Sequence, residues 1–271
     1  MASFRTRLDL DPAAMFSSVF GLKKKRRREL MRTPLSAEAI AIVRKNVPYV
    51  AKLGPEDQTE LQGLMQVFLD EKRFEGCAGL EITDEVRVTI AAQACVLLLH
   101  RETDFYPKLR SILVYPHAYV VKGLHVSDGH IVTEGPEARA GESWGRGSIV
   151  LSWDDVRRGA FDVHDGHNVV FHEFAHQLDQ ESSRGRGAPM LPKRSMYLAW
   201  ARVLGDEYQA LLDALEHHRQ TLIDPYGATN PAEFFAVVSE LFFEKPHELK
   251  ERHPELYEQL RGFYLQDPAR R

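Results

Sequence analysis

Asn168-Val169-Val170-Phe171-His172-Glu173-Phe174-Ala175-His176-Gln177-Leu178-Asp179 constrains this 271-residue chain more tightly than any other run in it. Histidines four residues apart share one face of an α-helix, because four steps of about 100° bring the second side chain almost over the first. Both imidazoles can then bind one ion. Val170, Phe171, Phe174, Ala175 and Leu178 form an apolar stripe for a core, whereas His172, His176 and Asp179 fall together on another side. Glu173 stands one step round from His172, where a carboxylate can reach activated water without being a ligand itself. The run therefore predicts a helix carrying two zinc ligands, His172 and His176, and a general base, Glu173.

A hydrolytic zinc site takes three protein ligands and keeps one position open, so a third donor must come from elsewhere. The metzincin pattern requires a Gly three residues beyond His176 and a His six beyond. Asp179 and Ser182 stand there, which disfavours that class. In the gluzincin pattern the third ligand is a glutamate on a later helix, and Asn230-Pro231-Ala232-Glu233-Phe234-Phe235 starts a helix well. The same spacing would also make Glu233 the capping-box partner of Asn230. Glu240 lies seven residues on and on the same face, and Asp224, in Asp224-Pro225-Tyr226-Gly227, offers an aspzincin-like alternative. Spacing alone leaves the three candidates open.

Working outward, Asp179 could orient a ligand histidine or be a solvated helix charge, and His164 and His167 read as polar loop residues. Ser148-Ile149-Val150-Leu151-Ser152-Trp153 is the best strand candidate, an edge along which an extended peptide could pair or an ordinary core strand. Ser111 to Tyr115 and Ala118 to Val121 read as short strands broken by Pro116. From Ser36 to His100 the pattern is helical, including a helix from Asp84 to His100 with Asp84 as its N-cap. Loops are expected from Gly135 to Gly147 and from Ser182 to Pro192. Three regions follow: a basic, flexible arm over 1–33, a helical region over 34–108 packed on the core, and a catalytic region over 109–271.

Composition bounds the function classes. A 44% hydrophobic and 27% charged chain is ordinary for a globular protein, and 35 Lys+Arg against 39 Asp+Glu gives a net charge of -4. That balance supplies no global basic field for nucleic acid. Met15, Phe16, Val19, Phe20 and Leu22 precede the basic run Lys23 to Arg28, the reverse of a secretory signal. No run approaches the roughly 20 apolar residues of a membrane span. Cys77 and Cys95, with no C-x-x-C pair, fit a reducing, cytoplasmic setting.

His172 to His176, Asp224-Pro225-Tyr226 and the run Asn230 to Phe243 together resemble the Mlc titration factor A family of bacterial zinc peptidases. Ile112 to Pro116, Val150 to Trp153 and Phe263 to Pro268 extend the likeness, so that it covers the chain from about residue 50 onward. The resemblance implies an α+β, mostly helical zincin-like fold with a small sheet beside the motif helix, and a gluzincin-like site related to that of the anthrax lethal factor protease domain. It implies Glu233 as third zinc ligand and Tyr226, seven residues before it, as a catalytic residue that donates to an oxyanion. It also implies cytosolic, aminopeptidase-type cleavage of peptides or proteins, and a repressor of the Mlc type as a partner. A second function class stays beside the first: a regulatory protein-binding factor whose peptidase activity is minor or gated by its partner.

Overall fold

The computed structural model describes the backbone of residues 12–117, 125–127, 130–132, 147–182 and 187–271, and the side chains of 21–117, 147–182 and 187–271. Expected features at 118–121, 135–146 and 183–186 lie outside these residues.

Helices α1 (Pro12–Met31), α2 (Ala37–Asn46), α3 (Pro55–Glu71) and α4 (Asp84–Val96) form the first part. Strand β1 (Arg73–Gly76) falls between α3 and α4, inside the stretch that reads as helical. Phe74 is its one large apolar residue, too little to set up a two-residue alternation. Asp84 is not the cap of α4: the Thr83 hydroxyl accepts from the Val86 N–H at 3.4 Å, and Asp84 and Glu85 occupy the first turn. This helix also stops at Val96, short of His100, whose φ of 64° belongs to a turn.

Strand β2 (Ser111–Tyr115) follows, then a hairpin of β3 (His125–Ser127) and β4 (His130–Val132), then β5 (Ser148–Ser152). Among the described residues β1, β2 and β5 make one parallel sheet in the order β1-β2-β5, which leaves β5 at an edge. Ile112, Val114, Ile149 and Leu151 alternate inward and are buried. The strand ends at Ser152, whose side chain caps α5 (Trp153–Phe161), so Trp153 begins a helix instead of extending the strand.

The motif helix α6 (Val169–Glu181) packs against α8 (Pro231–Glu244), with α7 (Tyr197–Glu216) between them in sequence and α9 (Pro246–Arg252) and α10 (Pro254–Tyr264) after them. Phe171 meets Phe243 at 5.1 Å and Phe174 meets Tyr106 at 4.8 Å between ring centroids, so the apolar stripe of α6 is gripped from two sides. Mostly helical, with one small parallel sheet, the architecture is α+β as expected.

Over its described part, the stretch expected as a basic arm is helical. Residues Lys23 to Arg28 belong to α1, and Arg27 is docked on α3: it bonds Glu71 at 2.6 and 2.8 Å, pairs with Asp104, and lies 4.7 Å from the Phe105 ring centroid. Complementary carboxylates at one end of the run turn a solvated charge block into a contact.

Candidate metal centre

Asn168 sets the start of the motif helix. Its side-chain oxygen accepts from the Val170 and Phe171 N–H groups at 3.1 and 3.0 Å, while its amide donates to Gln93 and to the Gly159 carbonyl. The cap aims His172 and His176 at the first turn of α8. There Asn230 caps the helix, accepting from Ala232 and Glu233 N–H groups, with Pro231 at the first helical position.

Glu233 Oε2 lies 3.0 Å from His172 Nε2 and 3.1 Å from His176 Nε2, and the two nitrogens are 3.1 Å apart. Its carboxylate is turned toward the histidines, so a helix-start role does not account for it. Glu240 Oε1 meets the other side of the His172 ring, 2.8 Å from Nδ1, and its Oε2 accepts from the Asn168 N–H at 2.6 Å. A carboxylate on Nδ1 keeps that nitrogen the donor, so that Nε2, which faces His176 and Glu233, is the nitrogen available to a metal ion when one displaces its proton.

Two imidazole lone pairs and a carboxylate oxygen in a tight triangle repel one another unless a cation sits among them. The triangle's edges compare with about 3.3 Å between ligand atoms held at 2.0–2.1 Å in a tetrahedron. The donor set therefore fits a small divalent metal ion. The cluster attracts positive charge, whether a proton or a metal ion. Burial opposes charge on His172, but the Glu240 charge and the contacts to Glu233 and Glu240 outweigh it and push the imidazole up to about 10. Burial likewise opposes charge on Glu233, yet the two histidines hold its carboxyl below the usual carboxylate range.

Glu173 is buried, and burial pushes its carboxyl upward against the pull of His172 and His176. Tyr226 lies in the turn Pro225–Ala228 with its ring 5.9 Å from that of His172. Burial, followed by the charges of Glu233, Glu173 and Glu240, raises its phenol.

The other candidates fall elsewhere. Asp224 is the cap of the Tyr226 turn, accepting the Tyr226 N–H at 2.7 Å. Glu240 lies behind His172 and not in the triangle. Asp179 turns to the loop after α6, its Oδ2 accepting the Gly187 N–H at 2.7 Å, and His176 acts on it through charge. His167 stands 3.8 Å from Asp224, and the His164 N–H bonds Asp162. Sequence reasoning missed Asn168 as the residue that joins the motif helix to Glu240. Its Asx-type capping chemistry before an apolar helix was the available signal.

The sequence profile of the glucose-regulated metallo-peptidase M90 family matches residues 22–265, which reaches further toward the N-terminus than the expected likeness from about residue 50. The chain is 46% identical to an uncharacterized protein of Synechocystis sp. over 90% of its length and 89% of that protein's. It is 34% identical to Mlc titration factor A of Klebsiella pneumoniae (strain 342), over 83% of the chain and 85% of the relative. Against Mlc titration factor A of Serratia proteamaculans (strain 568) identity is 35%, over 81% and 85%. With its histidine and glutamate donors gathered on two packed helices, the chain belongs to the glucose-regulated metallo-peptidase M90 family, the family of Mlc titration factor A.

Proposed function

We propose that the chain hydrolyses peptide bonds with Zn²⁺ held by His172, His176 and Glu233. The observation that carries this reading is the meeting of three ligand atoms from two helices, with Glu240 buttressing His172 from behind. When bound, zinc supplies Lewis acidity at the scissile carbonyl and makes a hydroxide-like nucleophile available near neutral pH. Glu173 takes the proton from the attacking water and delivers it to the leaving amine, a duty that suits a buried carboxyl group of raised proton affinity. Tyr226 donates its phenol hydrogen to the oxygen that gains charge in the tetrahedral transition state. The Ser148–Ser152 strand, at the edge of the sheet, offers its backbone to an extended substrate. Aminopeptidase-type cleavage and a cytoplasmic setting are part of the proposal, the latter supported by free Cys77 and Cys95. No helix among the described residues is long and apolar enough to cross a membrane.

The decisive variant is Glu173→Gln. It is expected to keep about one metal per chain while losing roughly 10²–10⁴-fold in turnover of a chromogenic peptide substrate, whereas His172→Ala loses the metal as well. Wild-type turnover in Glu173→Gln would falsify the mechanism.

The name of several relatives, Mlc titration factor A, supports a second reading, in which capture of a repressor of the Mlc type is the main role and peptidase activity is minor or partner-gated. Retention of a purified repressor by Glu173→Gln as well as by wild type favours it, because catalysis is then dispensable for binding.

A further inference from the structure

Three of the six cations from Lys23 to Arg28 have carboxylate partners on other elements. Arg26 pairs with Asp70, Arg27 with Glu71 and Asp104, and Lys23 stands 3.8 Å from Glu71 and 3.9 Å from Asp104. Leu30, on the same side of α1, packs against the hydrophobic core. At the end of the helix the backbone itself closes on α3: a β-carbon added to Gly63 would meet the Met31 carbonyl at 2.7 Å. One face of α1 is thus seated on the protein, which fixes the other face outward.

Steps of about 100° put Lys24, Arg28 and Lys25 side by side on that outer face, and Arg32 follows just past the helix end. All four are exposed. Glu29 is the carboxylate of this side, 3.9 Å from Lys25. Among the described residues Lys24, Arg28 and Arg32 have no ion-pair partner, because Asp70, Glu71 and Asp104 all meet the inner cations. Lys24 and Arg28, four apart, repel each other and weaken the helix that carries them. Apolar side chains border the strip on both sides: Leu22 is 64% exposed and Met31 40%. Ahead of it in the same helix, Pro12 to Phe20 holds no charged residue and includes Met15, Phe16, Val19 and Phe20. A phosphate backbone would answer the cations and leave the apolar groups in water. A layer of anionic headgroups over acyl chains answers both.

We propose that the outer face of α1 binds an anionic lipid surface, with Lys24, Lys25, Arg28 and Arg32 among the headgroups and Leu22 entering the apolar boundary. The contact is peripheral, and it does not depend on the metal reading.

Flotation of the full chain with lipid vesicles tests it. Binding is expected to phosphatidylcholine vesicles that contain about 30% phosphatidylglycerol in about 50 mM salt, to fall away by about 500 mM, and to be absent on phosphatidylcholine alone. Each cation removed is expected to weaken partition roughly fivefold, so the double variant Lys24→Gln, Arg28→Gln loses about twenty-fivefold. Leu22→Gln loses a further several-fold through its apolar contact. These side chains are exposed, so the variants are expected to unfold at the wild-type temperature, and a loss of binding is then not a loss of fold. The proposal is overturned if the chain does not float with the anionic vesicles at low salt, if it binds neutral vesicles equally well, or if the variants bind as wild type does. Salt-sensitive retention of a duplex DNA fragment in place of the vesicles also overturns it and assigns the strip to nucleic acid.

Discussion

Glu240 spends both carboxylate oxygens on one task, holding the Asn168 backbone N–H and the His172 ring together. A glutamate seven residues from Glu233 shares its helix face whether it is a ligand or a support, so its role was not legible in sequence. What separates the two is a distance of one imidazole ring. Lys72 shows another single-residue effect. It is 6% exposed, its ammonium donates to the Tyr106 and Leu109 carbonyls at 2.8 Å, and burial lowers its pKa from 10.5 to about 8. Between those values the unfolded chain keeps a proton on Lys72 that the folded chain has shed, so this residue's contribution to stability rises with pH across the window. Relative to Lys72→Met, the wild type is expected to gain on the order of 3 kcal/mol as pH passes from 8 to 10.5. Urea melts of the two proteins at matched pH read that difference, and a flat one would rule out a charged, desolvated lysine.

At the scale of elements, Gly187 ties three helices to one another. Its N–H reaches Asp179 on α6, its carbonyl accepts from Trp200 Nε1 on α7 at 3.1 Å, and a β-carbon there would meet the Pro231 carbonyl of α8 at 2.2 Å. With φ at 73° as well, the position admits glycine and little else. Gly187→Ala is expected to cost about 2 kcal/mol or more of stability, read as a lower denaturation midpoint. Metal affinity should fall with it, since Pro231 leads directly to Glu233. None of this could be seen in the sequence, where Gly187 reads as one of several loop glycines. The motif helix and the strands at Ser111 to Tyr115 and Ser148 to Ser152 were legible because their apolar periods span several residues. Strand β1 was not, because one phenylalanine makes no period and the strand is held by pairing with β2. The docked end of α1 was hidden for a related reason: the charge of Arg27 is plain, but its partners Glu71 and Asp104 are 44 and 77 residues away.

Over the whole molecule, the candidate metal centre lies between α6 and α8, two helices packed into one hydrophobic core, so occupancy should be felt globally. Dialysis against chelator is expected to lower the unfolding temperature by about 5 °C or more, and added Zn²⁺ to restore it, because an ion bound only by the folded state stabilises it by mass action. Calorimetry with and without chelator checks this, and coincident transitions would mean that the histidine and glutamate cluster holds no ion under those conditions. The same cluster carries a consequence for biosynthesis. A nascent chain displays His172 and His176 long before residues 233 and 240 have left the ribosome, and until then neither the third donor nor the carboxylate that turns His172 is present. Under the proposed ligand set, capture of the ion in its final form is therefore a late event in the life of each new molecule. An elongating chain would expose an incomplete, two-histidine chelator and no working centre, a built-in delay between making the protein and arming it.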